Sequence, residues 1–303
     1  MDDVLSLEHL LAAGITHAAI RRMLPTGELI RVRRGWYRRG RGQLTPEQTH
    51  RLLLAATLPQ TTDGAVVSHA SAALLHGLPV PYAALRRVTM TRDRSGCGYA
   101  SRTLRVRGCP VAEDEIVELN GIAVTSLART VADIGRELSF DWAVGAADAA
   151  LRLGLSGADL ADQIRRGARR PGNEKARAMA GFADPAAESI GESLSRALFW
   201  RAGIPSPTLQ REVRWHGTLV GRADFGWDEE GVLGEFDGNV KYGRDARPGE
   251  SIADVVLREK ERENRLRQAG WLVVRWTWDD LGQPGLVERR VRAMLRSGPG
   301  RVA

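Results

Sequence analysis

The sequence predicts a multidomain protein of mixed α+β and α/β class. Its 303 residues, of which 43% are hydrophobic and 27% charged, are typical of globular chains with two or three domains. The N-terminal segment combines two short helical patterns with a hairpin pattern, and the last third alternates helices with apolar strands. We expect domains at residues 1–45, 46–164 and 181–303, with a linker rich in Arg, Gly and Pro at 165–180.

The N-terminal segment predicts two helices followed by a basic hairpin. Residues 5–13 have a helical pattern that ends at Gly14, and Thr16 is a suitable N-cap for a second helix. Residues 27–40 alternate apolar and basic side chains around Gly35, as a β-hairpin does. The predicted module is therefore a pair of helices with a basic hairpin beside it.

This module resembles the winged helix of AbiEi-type antitoxins, the DNA-binding members of type IV toxin–antitoxin systems. The resemblance implies that the second helix enters the major groove, while the hairpin, or wing, contacts phosphates or the minor groove. The implied DNA contacts are His17, Arg21, Arg22, Arg31, Arg33, Arg34, Arg38 and Arg39. The alternative is that these arginines form a solvated surface, which is the usual role of a run of charges.

The middle segment predicts a mostly helical domain with short strands at 88–91 and 104–106. Its Ser-His-Ala-Ser-Ala-Ala stretch beginning at Ser68 also resembles the middle region of AbiEi-type antitoxins. His69, His76 and Asp133 are expected to cap helices or form core hydrogen bonds, because no complete catalytic set accompanies them.

Three carboxylates gather near the ends of two predicted strands in the C-terminal segment. Residues 232–236 form a short apolar strand, so Glu235 and Asp237 share one face. Residues 219–225 are a suitable antiparallel partner, which would bring Asp224 beside Glu235. Hard oxygen ligands of this kind suit Mg²⁺ or Mn²⁺. The alternative is that the carboxylates only solvate the end of a hairpin.

Residues 188–281 resemble the PD-(D/E)XK nuclease superfamily, in particular a bacterial branch similar to very-short-patch-repair endonucleases. Asp224 and Glu235 occupy its Asp and Glu positions, and Asp237 stands at the usual lysine position. The resemblance implies a restriction-endonuclease-like α/β sandwich, with Asp224, Glu235 and Asp237 as metal ligands. It also implies a catalytic role for Glu192 in the opening helix, and Lys241 or Lys260 would supply the ammonium group.

The order of elements also predicts a helix, strand and helix layering in this segment. A long helix at 252–268 precedes a continuous apolar run at 271–278, which suits an interior strand covered by helices. Trp271, Trp276 and Trp278 are expected to lie in the core.

The net charge of +7 favours an anionic partner, although nearly all the basic residues are arginine. No stretch predicts a membrane span or a secretory leader, so we expect a cytoplasmic protein. The residues and resemblances predict a DNA-binding protein with a Mg²⁺- or Mn²⁺-dependent endonuclease activity. The alternative is a DNA-binding regulator or antitoxin-like protein, with a toxin partner and an inactive nuclease-like domain. The sequence leaves open whether the protein is a homodimer.

Overall fold

The computed structural model describes residues 4–40, 42–61, 64–93, 98–238 and 252–298. The chain forms two compact units. Unit 1 comprises Met1–Ala146 and Leu153–Gly181, and unit 2 comprises Ala147–Arg152 and Phe182–Ala303. In the described part of the chain, no helix has both the length and the apolar character needed to cross a bilayer.

The N-terminal part of unit 1 is a three-stranded antiparallel sheet packed against two short helices. Its elements are β1 (Leu5–Ser6), α1 (Leu7–Ala12), α2 (His17–Met23), β2 (Leu29–Arg33) and β3 (Trp36–Arg39), with strand order β1-β3-β2. The expected N-cap is confirmed, because the Thr16 hydroxyl accepts a hydrogen bond from the Ala19 amide. Leu10, Ile20, Leu29 and Tyr37 form a small core. The predicted helices and hairpin are therefore present.

The rest of unit 1 contains a six-stranded mixed sheet. Its strands are β4 (Ala65–Val67), β5 (Val88–Arg92), β6 (Tyr99–Ala100), β7 (Leu104–Gly108), β8 (Ile116–Leu119) and β9 (Ile122–Thr125), in the order β6-β7-β5-β4-β9-β8. Its helices are α3 (Pro46–Thr57), α4 (His69–Leu75), α5 (Leu127–Glu137), α6 (Phe140–Arg152), α7 (Gly157–Arg166) and α8 (Asn173–Phe182).

Helices and a sheet together form the middle segment, and four of its six strands were not predicted. Strands β4, β6, β8 and β9 are only two to four residues long, too short for a clear alternating pattern. The predicted linker at residues 165–180 contains the end of α7 and most of α8.

A buried ion-pair network stabilises the middle of unit 1. Arg129 has no exposed surface, and its guanidinium donates to Glu115 at 2.5 Å and to Asp133 at 2.8 Å. Arg136 donates to the other oxygen of Asp133 at 2.8 Å. His76 Nε2 lies 2.8 Å from the carbonyl oxygen of Thr125. The expected core roles of Asp133 and His76 are confirmed.

Unit 2 is a four-stranded mixed sheet with helices on both faces. Its elements are α9 (Ile190–Ala202), β10 (Thr208–Trp215), β11 (Thr218–Trp227), β12 (Val232–Asp237), α10 (Ile252–Gln268), β13 (Leu272–Thr277), α11 (Trp278–Leu281) and α12 (Leu286–Ser297), with strand order β10-β11-β12-β13. Strands β10 to β12 are antiparallel neighbours, whereas β13 returns parallel to β12 after α10. The long helix has the predicted bounds.

Two apolar clusters cover the two faces of this sheet. Phe199 of α9, Trp276 of β13 and Val291 of α12 share one cluster. On the other face, Leu266 of α10 packs with Leu233 of β12. Trp271 is 2% exposed, as expected for a core residue. Trp278, the first residue of the short helix α11, is 40% exposed. The core assignment was therefore wrong for Trp278.

The last residues of α6 belong to unit 2 and carry a buried aspartate. Asp148 accepts hydrogen bonds from the Ser193 hydroxyl at 2.7 Å and from the Asp184 amide at 2.8 Å. Arg196 lies 4.0 Å away. Burial is the largest cause of a pKa of about 6 for Asp148, a value that already includes the lowering by Arg196 and by these hydrogen bonds.

The mixed α/β, multidomain class is confirmed. The winged-helix and restriction-endonuclease-like assignments stay predictions.

Candidate functional site

Three carboxylates from three elements of unit 2 lie near one another. The antiparallel register pairs Phe225 with Gly234, and continuing it by one pair places Asp224 opposite Glu235. Asp224 Oδ2 accepts a hydrogen bond from the Phe236 amide at 2.7 Å. Glu192 of α9 supplies the third carboxylate, and its charge and that of Glu235 both act on Asp224. The two strands and α9 therefore position a small acidic cluster.

Glu192 is only 6% exposed, and two hydrogen bonds hold its side chain in a fixed orientation. Its Oε2 accepts from the backbone amide of Glu188 and from Nε2 of Gln210, both at 2.8 Å. Gln210 has a φ of 51°, in the left-handed region, which is uncommon for a residue other than glycine. Backbone outliers of this kind are concentrated at functional sites.

Asp224 has a pKa far above that of an ordinary aspartate. Burial, which has the largest effect, and the negative charges of Glu192 and Glu235 together raise its pKa to about 7. The Phe236 amide and the Arg262 charge lower the pKa but do not compensate. The protonated form of Asp224 is therefore much more favoured near neutral pH than it is in an ordinary aspartate. A cation at this position would favour the ionised form.

Glu235 lies between two guanidinium groups. Its Oε1 accepts from Arg262 Nη2 of α10 at 2.5 Å, and its Oε2 accepts from Arg275 Nε of β13 at 2.7 Å. Arg275 is directly opposite Glu235 in the parallel register, and its Nη1 also donates to Glu263 at 2.8 Å. The Nη2 atom of Arg275 is buried and has no hydrogen-bond partner among the described residues.

The remaining predicted catalytic residues are Asp237, Lys260 and Lys241. Asp237 is exposed at the end of β12, and Lys260 is exposed on α10. Lys241 lies outside the described residues. Across the described ranges, no three His, Cys, Asp or Glu side chains are placed to hold a metal ion together.

Arg262 and Arg275 are the site residues that sequence reasoning did not select. Arg262 lies on the same helix as Lys260, two residues further along, and its side chain reaches Glu235. Arg275 could not be selected without the strand register, because it becomes a neighbour of Glu235 only when β12 and β13 pair in parallel.

Gly191 allows α9 to approach the strand that carries Glu235. A Cβ atom at this position would overlap the ring of Phe236, which packs edge-on against Trp278 with 5.0 Å between centroids. We therefore expect Gly191→Ala to destabilise the protein by about 1–3 kcal/mol, measured by urea unfolding.

The matched control for this substitution is Gly181→Ala in α8, where an added Cβ would meet nothing within 4 Å. Alanine favours helix, so the control should be neutral or slightly stabilising. Equal stability of the two variants would show that α9 does not require a glycine at this contact.

The predicted DNA contacts of unit 1 lie on α2 and the wing. His17, Arg21 and Arg22 are exposed on α2. On the wing, Arg34 and Arg39 are exposed, and the Arg31 guanidinium lies 5.8 Å from the centre of the Tyr37 ring. Arg33 instead donates to Thr57 of α3 at 2.8 Å, and Arg38 donates to the carbonyl oxygen of Gly42. The wing is therefore attached to the body of unit 1.

No protein-family profile matches the chain. The chain is 30% identical, over 179 residues, to two proteins of Mycobacterium tuberculosis named Uncharacterized protein MT2308 (strain CDC 1551 / Oshkosh) and Uncharacterized protein Rv2248 (strain H37Rv). The match covers 58% of this chain and 63% of the length of those relatives. A crystal structure of the RV2827C protein from the same species has a TM-score of 0.39 and 17% identity, covering 64% of this chain and 76% of that one.

Proposed function

We propose that unit 2 hydrolyses phosphodiester bonds in DNA with a bound Mg²⁺ or Mn²⁺ ion, and that α2 and the wing of unit 1 bind the DNA. The observation that carries the proposal is the position of Asp224, a partly buried carboxylate next to Glu192 and Glu235, with a pKa of about 7. Carboxylates crowded in this way are costly to ionise unless a cation accompanies them.

Asp224 and Glu192 fit a hard divalent ion. Each has one oxygen held by N–H donors, which orients the carboxylate, and the second oxygen accepts from no donor among the described residues. Mg²⁺ retains several waters and needs only one or two carboxylates. When bound, such an ion polarises a phosphoryl oxygen and lowers the pKa of its water. Glu235 could join these ligands if one of its two arginines moved to the substrate.

Arg262 and Arg275 would supply the positive charge that the superfamily pattern assigns to a lysine. Guanidinium groups bind phosphate oxygens in a bidentate manner and stay charged at all relevant pH values. A phosphate near Glu235 would be attracted by both of these guanidinium groups. These arginines would stabilise negative charge as it develops on the phosphoryl group.

The alternative function is a DNA-binding regulator or antitoxin-like protein without cleavage activity. The observation that favours it is that both oxygens of Glu235 already accept from arginines, while Asp237 is exposed beyond the cluster. An acidic residue neutralised by two guanidiniums can be a structural ion pair.

Cleavage of supercoiled plasmid and of short DNA by the full-length protein, with Mg²⁺, Mn²⁺ or EDTA, distinguishes these functions. We expect metal-dependent cutting that Glu235→Ala abolishes, while Glu229→Ala, which removes an exposed carboxylate from the neighbouring turn, cuts like the wild type. Absence of cutting with either metal, together with salt-sensitive DNA binding, would favour the regulator.

A further inference from the structure

A basic cleft of about 980 Å³ separates the wing from the body of unit 1. Its walls come from β2 and β3, from α3, from the end of the 3-10 helix Tyr82–Arg86 and from the residues before β7. Six arginines line it: Arg31, Arg33, Arg34, Arg38, Arg86 and Arg102. The described lining contains no Asp or Glu. A concave surface with a single sign of charge attracts a chain of anions.

Two of the wing arginines, Arg33 and Arg38, are held by hydrogen bonds to neighbouring groups. The hydrogen bond from Arg33 to Thr57 fixes the back of the cleft, and Arg38 is held by the carbonyl oxygen of Gly42. The Nε atom of Arg38 is buried and finds no partner in the described part of the chain. The fold therefore fixes the positions of two of the arginines that line the cleft.

Apolar side chains lie between these arginines. Ile30 and Val32 of β2 face the cleft, together with Leu44 and with Leu53 of α3. A duplex presents only phosphates, sugars and groove edges, whereas a single strand also exposes the flat faces of its bases. Bases stack on arginine planes and pack against apolar walls, while arginines pair with the phosphates.

We propose that this cleft binds a single strand of DNA. Arg86 and Arg102 on the body of unit 1 would hold one side of the strand, and the wing arginines would hold the other. The inference rests on the DNA binding proposed for unit 1, and it is independent of cleavage by unit 2. It changes the expected role of the wing from insertion into a duplex groove to closure over an unpaired strand.

Fluorescence anisotropy of the full chain with a labelled oligothymidylate tests the inference, in EDTA so that no cleavage occurs. The double variant Arg86→Ala/Arg102→Ala should weaken binding at least about tenfold. Each lost phosphate contact should also reduce, by about 0.7, the steepness with which the logarithm of the binding constant falls with the logarithm of the salt concentration. Both residues are exposed, so their removal should leave the fold unchanged, which circular dichroism checks.

The matched control is Arg169→Ala/Arg177→Ala, which removes two exposed arginines of unit 1 outside the cleft and should bind like the wild type. Equal weakening by the two double variants would overturn the inference, because the effect would then be one of overall charge. If the wild type bound duplex DNA but no single strand, and the Arg86→Ala/Arg102→Ala variant bound the duplex equally well, only this inference would be overturned. Failure to bind either form of DNA would overturn the proposed DNA binding as well.

Discussion

Replacing Asp224 with asparagine is expected to abolish DNA cleavage while stabilising the folded protein above pH 7. Loss of a metal ligand should cost several kcal/mol of transition-state stabilisation, or at least about a thousandfold in rate. Stability should change in the opposite direction, because the folded protein no longer contains a partly buried carboxylate crowded by Glu192 and Glu235.

The sign of the pH dependence follows from the raised pKa. An unfolded chain releases the Asp224 proton near the ordinary pKa of 3.8, whereas the folded protein retains it up to about 7. Asp224 therefore supports stability below pH 3.8, and this contribution decreases as the pH rises and is lost above 7. The difference between the folded and unfolded pKa values limits this contribution to the free energy of unfolding to about 4 kcal/mol. Partial solvation of the Asp224 side chain reduces it to about 2 kcal/mol.

Urea unfolding of the wild type and Asp224→Asn at pH 5 and pH 8 measures this effect. The variant should gain stability relative to the wild type between these pH values. Addition of 10 mM MgCl₂, on the order of a typical saturating concentration, should then stabilise the wild type more than the variant at pH 8. A constant difference at both pH values would contradict the raised pKa, and an equal response to Mg²⁺ would argue against Asp224 as a ligand.

Replacing Arg129 with methionine should destabilise unit 1 by about 3–5 kcal/mol. The substitution keeps the apolar stem but leaves Glu115 and Asp133 buried without the guanidinium that both contact. Asp133 would retain Arg136, and Glu115 would retain only its uncharged donors, so the cost is concentrated at Glu115. Urea unfolding followed by circular dichroism should show an earlier transition.

The control for Arg129 is Arg166→Met, which breaks the pair between Arg166 and Asp114. This pair has two good hydrogen bonds, at 2.8 and 2.9 Å, but lies on the surface. Solvation of the released charges should leave the unfolding midpoint unchanged. If both arginine variants unfolded at the same urea concentration, burial would not be the reason for the importance of Arg129.

Local patterns in the sequence predicted the elements that position the candidate site. The helix Ile252–Gln268 is long and periodic, and strand β12 is an apolar run that ends in turn residues. The placement of Asp224 opposite Glu235 follows from one hairpin, so it needed only the lengths of the two strands and their turn. The conformation of Gln210 left no signal in its residue type, since φ values near 51° are most common for glycine and asparagine.

Contacts between distant parts of the chain could not be predicted in this way. Glu235 meets Arg275 because β12 and β13 pair in parallel across a helix, which leaves no mark in local spacing. The six-stranded sheet of unit 1 was missed for the same reason: β4 lies between β5 and β9, and its few residues are specified by these neighbours. Burial of Arg129 likewise depends on elements far apart in sequence.

The buried aspartate of α6 limits how this protein can be divided or recombined. A fragment that begins at Phe182 lacks Asp148, so the Ser193 hydroxyl and the Asp184 amide would lose their acceptor inside the fold. A fragment that keeps the C-terminal unit intact must therefore also carry the final turns of α6, a helix that begins in the N-terminal unit.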